Sequence, residues 1–121
     1  MGGRTLYLEL TAGISGDMFL STLVQIADCQ KHLETQLRLL NIEPWSLSLR
    51  AELRGAFSGY QLSFDIGPST TERTFSTIRS LIDSSTLSVW VKRKSVEVFH
   101  RLALAESKIH GVSVEDVHFH F

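Results

Sequence analysis

The sequence predicts an α+β fold in which helices cover one face of a mostly antiparallel sheet. Apolar and polar residues alternate in several stretches, and elsewhere apolar residues recur at intervals of three and four. In chain order these patterns give β-α-β-β-α-α-β, an α+β sandwich for which a ferredoxin-like topology is one possible arrangement. With 121 residues, the chain is expected to form a single domain over residues 1–121.

The chain is predicted to begin with a strand, a glycine turn and a helix. Leucines alternate with other residues over positions 4–11, which is typical of a strand. Gly13 and Gly16 then flank the turn, with Ser15 as a predicted N-cap and Asp17 in the first helical turn. Backbone N–H groups at such a junction suit a phosphate or a carboxylate. The alternative is that these small residues only allow close packing.

A second helix and a β-hairpin are predicted next. Asp28 is expected to cap the helix, which ends before Pro44. Apolar and polar residues alternate cleanly over positions 45–54 and again over 60–66, with Gly55 between them. The two stretches therefore predict an antiparallel hairpin with one buried face.

Two further helices complete the predicted fold before the last segment. Residues 75–82 form a short helix, and a longer one begins at Leu87 and ends at His110. The longer helix carries an apolar stripe, which predicts that this face packs on the sheet. The stripe consists of Val91, Val98, Leu102, Ala105 and Ile109, with Phe99 beside it. Gly111 ends the helix because glycine readily takes the left-handed conformation. Residues 113–116 carry a Ser-x-x-Asp pattern, which indicates a single capped turn.

The carboxy-terminal end carries three of the five histidines within eleven positions. If residues 117–121 form a strand, His118 and His120 project from one face, and two such imidazoles form a pair of metal ligands. Glu106 and His110, one helical turn apart, would add a carboxylate and a third imidazole. The alternative is that the first pair is the solvent side of an amphipathic edge and the second is a solvated ion pair.

Composition excludes several classes of partner. The formal net charge of −1 offers no basic surface, so nucleic acid is not an expected partner. The apolar runs are too short to cross a membrane, and the amino terminus lacks the features of a signal peptide. A single cysteine, Cys29, precludes an internal disulfide and fits a reducing compartment, so a cytoplasmic location is expected.

Three stretches resemble the amino-terminal part of the LarC family. They are Leu6-Tyr7-Leu8 followed by Gly13 to Phe19, the Arg54-Gly55 pair, and Ala105 to His120. That family comprises the nickel insertion proteins, or cyclometallases, of nickel-pincer cofactor biosynthesis. The resemblance implies that nickel is inserted into pyridinium-3,5-bisthiocarboxylic acid mononucleotide through nickel–sulfur and nickel–carbon bonds. It also implies a requirement for CTP and for Mn or Mg, and a product that serves lactate racemase.

The resemblance also implies roles for individual residues. The candidate metal ligands are Glu106, His110, His118 and His120. Gly13, Ser15 and Gly16 are expected to hold the nucleotide phosphate through backbone N–H groups.

Asp17 and His118 are the candidate catalytic residues. Asp17 is expected to bind a divalent cation or to orient the turn. The base that removes the pyridinium ring proton is left open among Glu9, Asp17 and His118. A combined site requires the carboxy-terminal imidazoles to lie close to the glycine turn.

Departures from the family pattern limit these expectations. Residues 9–12 read Glu-Leu-Thr-Ala where the family usually has Asp-Cys-Phe-Ser, and residues 69–73 replace a histidine-rich run. The family continues beyond the position of Phe121 into a domain associated with CTP binding and oligomerisation. The chain is therefore expected to be a fragment, a split-gene product or a degenerate copy. Its expected partner is a separate carboxy-terminal subunit or a second copy, and the alternative function is a non-catalytic metal-binding or assembly module.

Overall fold

A computed structural model describes residues 2–68 and 72–119 and confirms the α+β class. The elements are α1 Gly16–Ala27, α2 Gln30–Leu37, β1 Ser46–Arg54, β2 Phe57–Asp65, α3 Phe75–Ser84 and α4 Val89–His110, followed by a 3-10 turn at Val114–Asp116. No described helix is both long enough and apolar enough to cross a bilayer.

The chain divides into two compact units. The helix-hairpin unit comprises Met1–Gln30 and Ser46–Asp65, and the helical unit comprises Lys31–Trp45 and Ile66–Phe121. The hairpin, α1 and the start of the chain therefore belong to one unit. The other contains α3, α4, nearly all of α2 and the histidine-bearing segment.

The helix-hairpin unit confirms the predicted hairpin. β1 and β2 pair antiparallel, and Gly55 at the turn has a φ of 62°, the left-handed region that favours glycine. The helix α1 packs against β2, where the buried Ser21 hydroxyl donates to the Tyr60 carbonyl at 2.9 Å. Val24 of α1 and Leu62 of β2 are each only 2% exposed, and they are the fully buried apolar residues among those described in this unit.

The prediction of a first strand over residues 4–11 is wrong. The described part of the chain forms one sheet of two strands, β1 and β2, and residues 4–11 have no strand assignment. Tyr7 in this stretch is 84% exposed. Alternation indicates an extended chain with an apolar side, but a strand also needs a hydrogen-bonded neighbour, which a local pattern does not specify.

The prediction that Asp28 caps the second helix is wrong. It ends α1 instead, in the left-handed conformation with a φ of 49°, and its backbone N–H bonds to the carbonyl of Gln25. Aspartate tolerates both roles, because its short side chain stabilises helix starts and also permits the left-handed region.

The helical unit is built around a core of Phe75, Ala103 and Val117, with Val96 and Phe99 packed against it. The predicted helices are confirmed, and side chains cap both starts. The N-cap hydroxyls of α3 and α4 each accept an N–H from three residues further on, at 3.2 Å.

The longer helix, α4, ends where it was predicted to end, but a different face of it is buried. It ends at Gly111, which has a φ of 65°. The stripe expected to be buried is not the packed face, because Val98, Leu102 and Ile109 are exposed. The core contact is made through Ala103, because this helix has apolar residues on more than one side.

The segment after α4 follows the predicted alternation over its described residues. Val117 is buried, His118 is exposed, and Phe119 packs edge-on against Phe99 with ring centroids 5.7 Å apart. A regular strand is not formed there, because pairing is limited to one antiparallel bridge between Thr74 and His118. The remainder of the predicted strand, with His120, lies outside the described residues.

Candidate nucleotide and metal sites

The turn before α1 is arranged around Asp17. Ser15 occupies the predicted N-cap position. Its hydroxyl does not accept a backbone N–H, however, and donates instead to the Asp17 carboxylate. The Met18 N–H also donates to Asp17 Oδ1, at 3.0 Å. These two hydrogen bonds, the Ser15 one foremost, hold the pKa of Asp17 below its ordinary value. Asp17 is therefore a firmly ionised carboxylate at neutral pH.

The two glycines of the turn differ in their backbone requirements. Gly13 has a φ of 78°, which strains any residue with a side chain, whereas Gly16 lies in the first turn of α1 without a positive φ. A Cβ atom added at either position would meet no atom within 4 Å. Glycine at 13 is therefore needed for the chain to turn, whereas neither the backbone conformation nor a close neighbour requires glycine at 16.

A cavity of about 460 Å³ lies between the start of α1 and the turn end of the hairpin. We call it the hairpin cavity. Ser15 and Asp17 line one side, and Glu52, Arg54 and Phe57 are among the hairpin residues that line the other. Its volume falls within the range of small-molecule sites. Gly13 and Gly16 do not belong to its lining.

The hairpin side of this cavity was missed by the sequence reasoning. Arg54 was noted only as part of a family resemblance, and neither Glu52 nor Phe57 was singled out. Their pattern along the chain is that of any amphipathic hairpin, and only the packing of α1 on β2 brings Asp17 opposite them. The Arg54 guanidinium donates through Nε and Nη2 to Glu52 at 3.3 Å, and both groups are exposed to solvent.

Two histidines of the helical unit, His110 and His118, each lie beside a carboxylate. His110 Nε2 lies 3.1 Å from Glu106 Oε2, as the one-turn spacing predicted, and both side chains are exposed. His118 Nδ1 lies 3.7 Å from Glu72 Oε2, with the His118 side chain 48% exposed. Glu72 was not predicted, because it lies 46 positions earlier in the chain.

A complete metal-binding cluster is not assembled within the described ranges. Over residues 2–68 and 72–119, no three His, Cys, Asp or Glu side chains gather closely enough to hold a metal ion. The predicted ligands Glu106, His110 and His118 therefore stand as components of pairs, and His120 lies outside these ranges. The glycine turn and Asp17 belong to the other unit, so a site shared with the histidines stays a prediction.

Comparison with known proteins identifies the family. The family model described as "Nickel insertion protein" matches residues 6–121. The chain belongs to this family. No solved structure matches it.

Several curated relatives in this nickel insertion family carry the name pyridinium-3,5-bisthiocarboxylic acid mononucleotide nickel insertion protein. The chain is 37% identical over 117 residues to the one from Staphylococcus epidermidis, covering 97% of the chain and 30% of that relative. Identity is 37% over 115 residues with that of Staphylococcus saprophyticus, covering 95% and 29%. It is 36% over 117 residues with that of Desulfitobacterium hafniense, covering 97% and 29%. The chain thus spans less than a third of the length of these relatives.

Proposed function

We propose that this chain is the amino-terminal part of a cytoplasmic, CTP-dependent nickel insertion protein. The complete protein loads nickel into pyridinium-3,5-bisthiocarboxylic acid mononucleotide and forms the nickel-pincer cofactor of lactate racemase. The observation that supports this proposal is the family match over residues 6–121, together with relatives whose names specify that nucleotide. Because the chain spans about 30% of those relatives, the activity is proposed to need the carboxy-terminal part of the family pattern as well as these residues.

Nickel, as the cargo of the reaction, is proposed to bind the carboxy-terminal imidazoles. His118 and His120 are the principal ligands, with His110 and Glu106 as further ligands. Neutral imidazole suits Ni²⁺, and a site with few protein ligands leaves positions open for the thiocarboxylate sulfurs of the nucleotide. Glu72 lies 3.7 Å from His118 and is placed to orient that ring.

The glycine turn is proposed to receive the nucleotide phosphate through backbone N–H groups of Gly13, Ser15 and Gly16. Asp17 is proposed to hold the divalent cation, Mn or Mg, because its carboxylate oxygens are the ligands that such cations prefer. A lowered pKa makes Asp17 a weak base, which favours the cation role over proton abstraction. That leaves Glu9 and His118 as candidates for the base. CTP is assigned to the carboxy-terminal part.

Complementation tests the catalytic proposal. The chain is mixed with the carboxy-terminal remainder of a relative, nickel, CTP, Mn²⁺ and the pyridinium substrate, and cofactor formation is followed by activation of lactate racemase. Synthesis is expected with both parts and CTP present, and is expected to fail when either part or CTP is omitted. The double variant His118→Ala, His120→Ala should abolish synthesis, whereas His32→Ala, an exposed histidine on α2, should not.

A non-catalytic metal-binding or assembly module is the second candidate, and the exposed pairs of His110 with Glu106 and of His118 with Glu72 favour it, because imidazole and carboxylate are metal ligands. It predicts nickel binding that the same His118 and His120 double variant loses, with no cofactor synthesis under any complementation. The complementation experiment separates this candidate from the catalytic proposal, and calorimetric titration with Ni²⁺ tests both. If the intact chain shows no nickel binding, both functional interpretations of the histidines are wrong.

A further inference from the structure

The strand β1 has one backbone edge with no strand beside it. The sheet formed by the described residues has two strands, so β1 pairs with β2 along one edge only. This pairing runs from Ser46 to Arg54 without a bulge, and the strand contains neither proline nor lysine. Bulges, prolines and lysines are features that ordinarily protect an exposed strand edge. The outer edge of β1 is therefore regular and unprotected, and it can accept another strand.

The hairpin turn fixes which residues of β1 face this outer edge. Two residues separate the strands, and the residues that flank such a turn, here Arg54 and Phe57, form a hydrogen-bonded pair. Hydrogen-bonded and non-hydrogen-bonded pairs alternate along an antiparallel ladder. Leu49, Ala51 and Leu53 therefore belong to non-hydrogen-bonded pairs, and their N–H and C=O groups point away from β2.

The contacts of the hairpin agree with this orientation. Tyr60 lies opposite Ala51, and its carbonyl accepts the Ser21 hydroxyl of α1 at 2.9 Å, so this pair does not bond across the hairpin. On β1 itself, every residue from Arg50 to Arg54 is exposed. The outward backbone groups at this end of the strand are thus open to a partner.

The charges on β1 favour a second copy of the same strand as that partner. A two-fold axis through Ala51 places Arg50 opposite Glu52 of the second copy, and does so twice. These are the positions at which opposite side chains lie closest, because they would form non-hydrogen-bonded pairs between the copies. An axis through Arg50 or Glu52 would instead bring like charges together. An axis through Leu53 would pair Glu52 with Arg54 but would leave only the last few residues of β1 in contact.

The other face of β1 gains an apolar row in the same register. Leu53 is 78% exposed although it is apolar, and it would lie opposite Leu49 of the second copy. Leu49 in turn lies opposite Leu62 of β2, which is 2% exposed. Each copy would thus cover the exposed leucine of the other and extend the buried side of its sheet.

We infer that β1 is an interaction surface for a second copy of the chain, with which it forms one continuous four-stranded antiparallel sheet. At the two-fold axis, the Ala51 N–H of each copy donates to the Ala51 carbonyl of the other. Leu49 and Leu53 supply the remaining backbone hydrogen bonds, and the pairing of Arg50 with Glu52 fixes the register. This surface lies entirely within the helix-hairpin unit.

Sedimentation equilibrium of the intact chain tests for the dimer. A species of twice 13.6 kDa is expected to form as the protein concentration is raised. A monomer at every concentration up to about 1 mM overturns the inference, because a dimer weaker than that has no defined interface.

NMR on a mixture of isotope-labelled and unlabelled chains tests the register. The α protons of Arg50 and Glu52 are expected to give an intermolecular NOE, because the backbones approach most closely at non-hydrogen-bonded pairs. Within one chain these two residues are successive on one face of the strand, and their α protons lie too far apart for a strong signal. A dimer that lacks this NOE uses another surface or register and overturns the inference.

Ala51→Pro is the decisive variant. Proline removes the N–H at the two-fold axis and spares the hydrogen bonds to β2, because this N–H points outward. We expect the variant to fold and to dimerise at least about tenfold more weakly. Ser58→Pro is the matched control, because Ser58 lies opposite Leu53 and directs its N–H to the other edge of the hairpin. Equal dimerisation of the two folded variants overturns the inference.

Charge reversal provides a test that introduces no proline. Arg50→Glu and Glu52→Lys are each expected to weaken dimerisation at least about tenfold, because both symmetric pairs change from attraction to repulsion. The double variant restores opposite charges across the axis, and its dimerisation is expected to return to within about threefold of the original. If the double variant is as weak as the single ones, the assigned register is wrong.

Two other occupants of the edge of β1 would give different results. If residues 4–11 of the same chain pair with this edge in solution, the chain stays monomeric and Ala51→Pro lowers hydrogen-exchange protection in residues 4–11. If the carboxy-terminal part of a relative occupies the edge, its addition converts the dimer into a one-to-one complex that Ala51→Pro weakens. Either result overturns the assignment of the edge to a second copy.

Discussion

The two units differ in how they use their polar side chains. In the helical unit, Thr74 and Ser88 cap helix starts, and a core forms around Phe75. In the helix-hairpin unit, Ser15 occupies the equivalent position but donates its hydroxyl to Asp17, and among the described residues only Val24 and Leu62 are fully buried apolar residues. The N-cap hydroxyl of the helix-hairpin unit thus bonds to a carboxylate, whereas the N-cap hydroxyls of the helical unit bond to backbone N–H groups and stabilise their helices.

The largest expected difference between the units comes from two phenylalanines. Phe75 is 1% exposed, so Phe75→Ala should lower the free energy of unfolding by about 3–5 kcal/mol. Phe57→Ala, at an exposed position, should change it by less than about 0.5 kcal/mol. Urea unfolding followed by tryptophan fluorescence measures the first effect, because both tryptophans belong to the helical unit. Similar losses in both variants would contradict the comparison.

Two valines of equal burial test whether the units unfold independently. Val24 and Val117 are each 2% exposed, so alanine at either position should cost about 2 kcal/mol. Hydrogen exchange is expected to show lost protection in α1 and the hairpin for Val24→Ala, and in α3 and α4 for Val117→Ala. If either variant lowers hydrogen-exchange protection throughout the chain, the two units do not unfold independently.

Comparison of the predicted elements with the structure shows which parts of the fold the sequence could predict. The hairpin turn at Gly55 and the helix end at Gly111 were predicted correctly, because the signal and its effect are adjacent in the chain. The first strand was not, because a strand depends on a partner elsewhere. Asp28 was misassigned because the same side chain fits either end of a helix.

The candidate sites divide in the same way. The Glu106 and His110 pair follows from helical spacing alone, and the structure confirms that the two side chains meet. The approach of Glu72 to His118 joins distant parts of the chain, and the hairpin cavity requires α1 to pack on β2. Neither of these two arrangements produces a periodic pattern of residues from which it could be predicted.

Glycine substitutions compare the backbone of the two units. Gly111→Ala should lower the free energy of unfolding by about 1–2 kcal/mol, because its φ of 65° disfavours an L-residue while the added Cβ meets nothing. Gly16→Ala should be neutral or stabilising by up to about 1 kcal/mol, because alanine is the better helix former. Urea unfolding checks both. A stabilised Gly111→Ala would show that the left-handed turn is not required.

Removal of hydroxyls compares the helix starts directly. Ser88→Ala should cost about 1 kcal/mol, because its hydroxyl accepts the Val91 N–H. Ser15→Ala should cost less than about 0.5 kcal/mol, because its hydroxyl makes no cap bond. Thermal unfolding by circular dichroism measures both. Equal losses would indicate that Ser15 stabilises α1 in another way.

The smallest expected effect is the pH dependence of Asp17. Its pKa is lower in the folded chain than in the unfolded one, so the stabilisation is complete above the unfolded pKa and is lost as the pH falls through the folded pKa. Ser15→Ala should raise the pKa of Asp17 in the folded chain toward its ordinary value. The pH range between the unfolded and folded pKa values, over which this stabilisation changes, should then become narrower. NMR titration of the Asp17 side-chain carboxyl carbon measures the change. An unaltered titration would exclude the Ser15 hydrogen bond as its cause.

Thr74 takes part in two arrangements at once. Its hydroxyl caps α3 by accepting the Thr77 N–H, its backbone bridges to His118, and the next N–H, that of Phe75, donates to the Val117 carbonyl at 2.9 Å. A displacement of the imidazole-bearing segment is therefore expected to disturb the first turn of α3, a helix that carries none of the candidate ligands. If nickel binds as proposed, the amide resonance of Thr77 should shift on its addition, and this shift can be measured even when paramagnetic Ni²⁺ broadens the histidine signals beyond detection.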